Sequence, residues 1–90
     1  MIDFDLIAWD DEDDQQGNVL HIAAYGLSIE EVEQVLYDPT NRPTVSHSTG
    51  RPAVFGETSS GKTIFVVFEV LETKPVIVIR PITAYEPMPD

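Results

Sequence analysis

Hydrophobic and polar positions change their period along the chain. Ile2, Phe4, Leu6 and Ala8 occupy every second position, with Asp3 and Asp5 between the first three, which is typical of a half-buried strand. From Asn18 to Tyr25 the apolar residues recur at helical spacing, and Gly26 suits the left-handed position just past a helix end. The first third of the chain therefore predicts a strand, an acidic loop and a helix.

A second helix has clearer start and stop signals. Ser28-Ile29-Glu30-Glu31 matches a capping box, in which the serine and Glu31 satisfy each other's backbone N–H groups. Leu27 and Val32 are spaced as a hydrophobic staple at this start, and Asp38-Pro39 ends the helix.

Everything after Pro39 has the composition of strands separated by turns. Val, Ile, Phe and Thr dominate the runs Thr44 to Ser46, Pro52 to Glu57, Thr63 to Leu71 and Val76 to Ile82. The order β-α-α-β-β-β-β predicts an α+β fold, with two helices packed on one face of a small antiparallel sheet. We expect a single domain over residues 1–90 with an irregular tail from about residue 81.

The net charge of −11 is unevenly distributed. Residues 1–38 hold eleven acidic residues and no Lys or Arg, whereas the remainder holds five acidic and five basic residues. An acidic chain opposes non-specific binding to nucleic acid, so a basic protein is the more natural partner for the acidic half.

The chain contains no cysteine, which excludes disulfides and thiolate metal sites. The N-terminal residues do not resemble a targeting segment, and the apolar runs are too short to cross a bilayer. We therefore expect a cytoplasmic protein that does not bind membranes.

The segment from Gly56 to Thr63 matches the phosphate-binding P-loop pattern. A P-loop feeds into a helix, but the β-branched and aromatic run after Lys62 is typical of a strand. We interpret the segment as a hairpin loop, with nucleotide binding as the alternative.

Two further patterns have a chemical and an ordinary interpretation. The acidic run from Asp10 to Asp14 could bind a hard cation, but the twelfth position of a calcium loop begun at Asp10 falls on His21, so a solvated loop is favoured. His21 and His47 are the only histidines, and they are candidates for proton transfer or ordinary surface residues.

Several segments, taken in order, resemble the BrnT-like toxin family, whose fold is similar to that of RelE/ParE-type toxins. The resembling segments are Trp9-Asp10, residues 18–28, Glu30-Glu31-Val32, residues 50–56, residues 61–68 and residues 82–86. They are distributed in the family's order over most of the chain, from residue 9 to residue 86. Each motif is short, and the ordered set carries the resemblance.

The resemblance implies a type II toxin: an endoribonuclease that cleaves mRNA without metal or cofactor and is held inactive by an antitoxin that also acts as a repressor. By motif position, the catalytic candidates are His21, Arg51, Lys62 and Tyr85. Arg51, Lys62 and Arg80 are the candidates for binding RNA phosphates.

The departures from the family pattern remove positive charge. Tyr25 stands where the family usually has histidine, Tyr85 stands for an arginine, and acidic residues replace lysines between Asp10 and Asn18. These changes predict weakened ribonuclease activity, and the alternative is a non-catalytic acidic module of the same fold that binds protein. An exposed edge strand also predicts pairing of two copies into a homodimer.

Overall fold

The computed structural model describes residues 2–87, so the last three residues of the predicted tail lie outside the described part. Two helices and five strands follow in the predicted order, and the α+β class is confirmed. The elements are β1 (Leu6–Ile7), α1 (Asn18–Ala23), α2 (Ile29–Tyr37), β2 (Arg42–Val45), β3 (Pro52–Glu57), β4 (Thr63–Glu72) and β5 (Val78–Tyr85).

The strands form one sheet in the order β1-β5-β4-β3-β2. Neighbours from β2 to β5 are antiparallel, but β1 runs parallel to β5, so the prediction of an entirely antiparallel sheet was wrong at this edge. β1 is also shorter than its alternating pattern. The pairing of β1 with β5 stops at Ile79. Two residues further along β5, the Pro81 carbonyl accepts a hydrogen bond from the Asn18 side chain instead.

The helix signals are confirmed with small changes at the ends. The Ser28 hydroxyl accepts from the Glu31 N–H and the Glu31 carboxylate accepts from the Ser28 N–H, as a capping box requires. α1 stops two residues before Tyr25, where tighter turns lead into Gly26 at φ +80°.

β5 differs most from its prediction. It begins at Val78 and continues through Tyr85, so the irregular tail predicted from Pro81 was wrong. A register shift relative to β4 next to Phe68 accommodates Pro81, which has no N–H to donate. The proline therefore lies inside the strand without ending it.

Both helices cover one face of the sheet, as predicted. Their apolar residues pack with alternate strand residues into one core: Ile22, Leu27, Val32, Val35, Leu36, Val54, Ile64, Val66, Phe68, Ile79 and Ala84. The opposite face, called here the outer face, carries a second, smaller apolar cluster of Ala53, Phe65 and Val67, flanked by Phe55 and Tyr85. Most of the predicted site residues lie on or beside this outer face.

Candidate functional site on the outer face

A chain of ion pairs crosses one end of the outer face. The Arg51 guanidinium lies 2.9 Å from the Glu69 carboxylate, and Arg80 lies 3.8 Å from the same carboxylate. Arg80 also donates to Asp10 at 2.6 Å. The register of β4 with β5 places Glu69 opposite Arg80, which brings the two predicted phosphate-binding arginines together. Each of them already has a carboxylate partner.

Lys62 lies away from this chain, in the turn before β4. Its ammonium group is 2.7 Å from the Glu31 carboxylate at the start of α2. The ion pair raises the pKa of Lys62 and lowers that of Glu31. The Glu31 carboxylate also accepts the capping hydrogen bond from the Ser28 N–H at the start of α2. The Lys62–Glu31 ion pair therefore connects the β3–β4 turn to the helix layer.

His21 projects from α1 towards β5. Its Nε2 lies 3.0 Å from the Thr83 hydroxyl, and its ring meets the edge of Tyr25 at a centroid distance of 5.6 Å. The ring centroids of Tyr25 and Tyr85 are in turn 6.2 Å apart. A cleft of about 220 Å³ is lined by both His21 and Arg80. The structure thus places His21 and Arg80 at one cleft, and Tyr25 lies between His21 and Tyr85. Lys62 does not lie with this group.

A larger cleft of about 400 Å³ opens on the outer face, and we call it the aromatic cleft. Its lining residues are Thr44, Val45, Ser46, His47, Ser48, Phe55, Phe65, Tyr85 and Pro87. The Phe55 and Phe65 rings are 4.6 Å apart between centroids, and the Phe65 and Tyr85 rings meet edge to face at 5.3 Å. Among the earlier candidates, Tyr85 and His47 lie here.

Sequence reasoning missed this cleft. The outward-facing aromatic residues of β3 and β4 were included in the apolar runs that predicted those strands. The available signal was that successive side chains of a strand point to opposite faces of the sheet. In the strand Pro52–Glu57 this places Phe55 on the opposite face from Val54.

The Asp10–Asn18 pair joins β1, α1 and β5. The Asp10 carboxylate accepts from the Asn18 backbone N–H, and the side-chain amide oxygen of Asn18 accepts from the Asp10 backbone N–H, both at 2.9 Å. The Asn18 amide also donates to the Ala8 and Pro81 carbonyls. The pKa of Asp10 is lowered mainly by the hydrogen bond from the Asn18 backbone N–H and, to a smaller extent, by the hydrogen bond from Arg80. Two residues of the family-like motifs therefore have a visible structural role.

The P-loop-like segment forms a hairpin loop, as the ordinary interpretation predicted. The Thr58 N–H donates to the Lys62 carbonyl, and Gly61 takes φ +86°. The next element is β4, so the loop does not run into a helix N-terminus as a phosphate-binding P-loop does. Within residues 2–87, no group of three or more His, Asp or Glu side chains is arranged to hold a metal ion.

Comparisons with protein-family models, curated proteins and solved structures find no match to this chain. No helix within the described residues is long and apolar enough to cross a bilayer.

Proposed function

We propose that this protein is the toxin-side component of a toxin–antitoxin-type pair and that it acts by binding a basic partner protein. The ordered motifs resembling BrnT-like toxins support the class. The mode of action rests on one observation: Arg51, Lys62 and Arg80, the candidates for binding RNA phosphates, each form an ion pair with a carboxylate. A phosphate would therefore compete with these carboxylates for the same cations.

The acidic half offers carboxylates that are available to a partner. Asp11, Glu12 and Asp13 are exposed side chains on consecutive positions of the β1–α1 loop, and Glu30 is exposed on the first turn of α2. In the described structure none of these four carboxylates forms a salt bridge. Lys and Arg side chains of a partner would therefore meet charges that are already exposed, and association would be fast and sensitive to salt.

The test is a titration of the protein with a fluorescently labelled Lys/Arg-rich peptide at several salt concentrations. We expect binding that weakens as salt rises and that weakens further in the double variant Asp11→Asn/Asp13→Asn. The matched control is Glu57→Gln/Glu72→Gln, which removes the same charge from exposed positions on β3 and β4. Equal losses in the two double variants would refute a specific role for the acidic loop, and no binding by wild type would refute the proposal.

A ribonuclease is the second candidate, and the cleft shared by His21 and Arg80 favours it. In that reaction the RNA 2′-OH attacks the adjacent phosphate, and the bond from phosphorus to the 5′-oxygen of the next nucleotide breaks. His21 or a nearby tyrosine takes the 2′-OH proton or gives a proton to the departing 5′-oxygen, and Arg80 stabilises the charge that develops on the phosphate. The assay is cleavage of mixed-sequence RNA in EDTA by wild type and by the His21→Ala, Arg51→Ala and Lys62→Ala variants. Cleavage that is lost in the His21→Ala variant would support this candidate. An inert, well-folded wild type would eliminate it.

A further inference from the structure

β2 is an open edge of the sheet. It is the last strand in the order β1-β5-β4-β3-β2, and all four of its residues are exposed. Within residues 2–87 only β3 pairs with it, so one side of β2 has no strand partner. The backbone N–H and C=O groups on that free side can pair with a further strand.

The ladder with β3 decides which backbone groups point to the free side. The Ser46 N–H donates to the Arg51 carbonyl at 2.8 Å, one residue past the last pair of the ladder. Every second residue of an antiparallel pair bonds to its neighbour, so Thr44 bonds to β3 while Pro43 and Val45 turn their backbone groups outwards. Because Pro43 has no N–H, the free side offers the Val45 N–H and the carbonyls of Pro43 and Val45.

We propose that β2 pairs with β2 of a second copy of this chain, antiparallel and about a twofold axis at Thr44. In this register each Val45 N–H donates to the Pro43 carbonyl of the other copy, which satisfies both N–H groups on the free sides. Val45, which is 54% exposed in the single chain, then lies against Pro43 on one face of the sheet. Thr44 meets the second Thr44 on the other face, and Arg42 faces Ser46 rather than the second Arg42.

The distribution of charge favours a second copy at this edge. Residues 39–56, which contain β2 and most of β3, are the longest part of the chain without Asp or Glu. Asp38 and Glu57 flank this part and share a cleft of about 320 Å³ with Arg42, whose charge offsets part of theirs. Two β2 edges therefore meet with little local repulsion.

The same pairing keeps the acidic loops of the two copies far apart. The β1–α1 loop follows β1, which is the opposite edge strand of the sheet. When two sheets are joined at β2, a β1 strand lies at each end, and at about 4.8 Å per strand the two are about 43 Å apart. This is several times the screening length of about 8 Å at physiological salt. Both acidic loops also stay accessible, so the inference does not depend on the proposed function.

The first experiment is sedimentation equilibrium of wild type from about 10 μM to about 1 mM protein, at low and at high sodium chloride. We expect the mass to rise with concentration from that of one chain towards twice that value. Salt should strengthen the association, because it screens the repulsion between two chains of charge −11. A head-to-tail contact between the acidic loop and a basic side chain would weaken with salt. Weakening by salt, or a single-chain mass at every concentration, would overturn the inference.

The second experiment locates the contact by amide hydrogen exchange. The Val45 N–H should exchange more slowly as the fraction of paired chains rises, because only pairing gives it an acceptor. The Thr44 N–H should be protected at every concentration, since it points to β3. A doubled mass with unchanged exchange at Val45 would place the contact elsewhere and overturn the inference.

The third experiment uses variants of the edge. Val45→Pro removes the outward N–H, and Val45→Lys adds a charge where the two copies meet, so both should keep the mass of one chain where wild type pairs. Val70→Lys is the matched control, because Val70 lies on β4 and is 48% exposed. It changes the net charge equally and should pair as wild type does. Equal losses in Val45→Lys and Val70→Lys would overturn the inference.

Two points keep the tests decisive. If the Val45 variants fail to fold, which circular dichroism would show, the exchange of the Val45 N–H in wild type still decides the question. The titration with a basic peptide reports on the acidic loop alone. A protein that binds the peptide as a single chain would overturn this inference and leave the proposed function standing, and a protein that pairs without binding the peptide would do the reverse.

Discussion

Asn18 joins three parts of the chain, so we expect Asn18→Ala to be among the most damaging single substitutions. Its side chain is 2% exposed and takes part in three hydrogen bonds with backbone groups of Ala8, Asp10 and Pro81. Each bond contributes about 1 kcal/mol, and backbone groups left buried without partners add to the loss. We expect the free energy of unfolding to fall by about 3 kcal/mol or more.

The assay is urea and thermal unfolding followed by circular dichroism. For a domain of this size, a loss of about 3 kcal/mol corresponds to a fall in Tm of roughly 12–24 °C. Amide hydrogen exchange adds a local readout. The N–H groups of Leu6 and Ala8 donate to the carbonyls of Ile77, just before β5, and Ile79, within β5. They should lose protection first because β1 is no longer tied to α1.

Asn41→Ala is the matched control. Asn41 is 4% exposed, and its amide donates to the Val35 and Leu36 carbonyls at the end of α2. Its side-chain amide oxygen is buried without a hydrogen-bond partner among the described residues, so truncation also removes an unfavourable group. We expect a smaller loss, about 1 kcal/mol. Equal losses in the two variants, or a loss below about 1 kcal/mol for Asn18→Ala, would refute the reasoning from hydrogen-bond number.

Three further substitutions test the packing of the helix layer. Ser28→Ala removes the capping hydroxyl and should lower the free energy of unfolding by about 1 kcal/mol in urea denaturation; an unchanged midpoint would contradict the capping role. Because Lys62 holds the pKa of Glu31 below its ordinary value of 4.5, their pair stabilises the fold above that pH and loses its contribution as the pH falls through the lowered pKa. Glu31→Gln should therefore flatten the acid dependence of stability, and an identical pH profile would argue against the pair. Gly56→Ala places a Cβ 2.9 Å from the Val35 Cγ1, so it should cost about 1–3 kcal/mol in thermal or urea unfolding; a variant as stable as wild type would mean that α2 yields at little cost.

Local sequence signals were enough for most of the elements. The capping box at Ser28 and the strand-like composition of Pro52–Glu57 depend on residues a few positions apart, and the helix start and the strand that they predict were both confirmed. The tail predicted from Pro81 was wrong because proline is a reliable strand breaker only where the partner strand needs its N–H. The register shift next to Phe68 removes that need, and it is visible only once β4 and β5 are paired.

The sequence by itself determined the α+β class, the order of the elements and the acidic character of the first half. Only the tertiary structure decided which charges remain available, because Arg51, Lys62 and Arg80 find their carboxylate partners 18, 31 and 70 positions away. Such pairs depend on strand order and register, which short-range periodicity does not encode. For the same reason the aromatic cleft exists only where neighbouring strands bring Phe55, Phe65 and Tyr85 side by side.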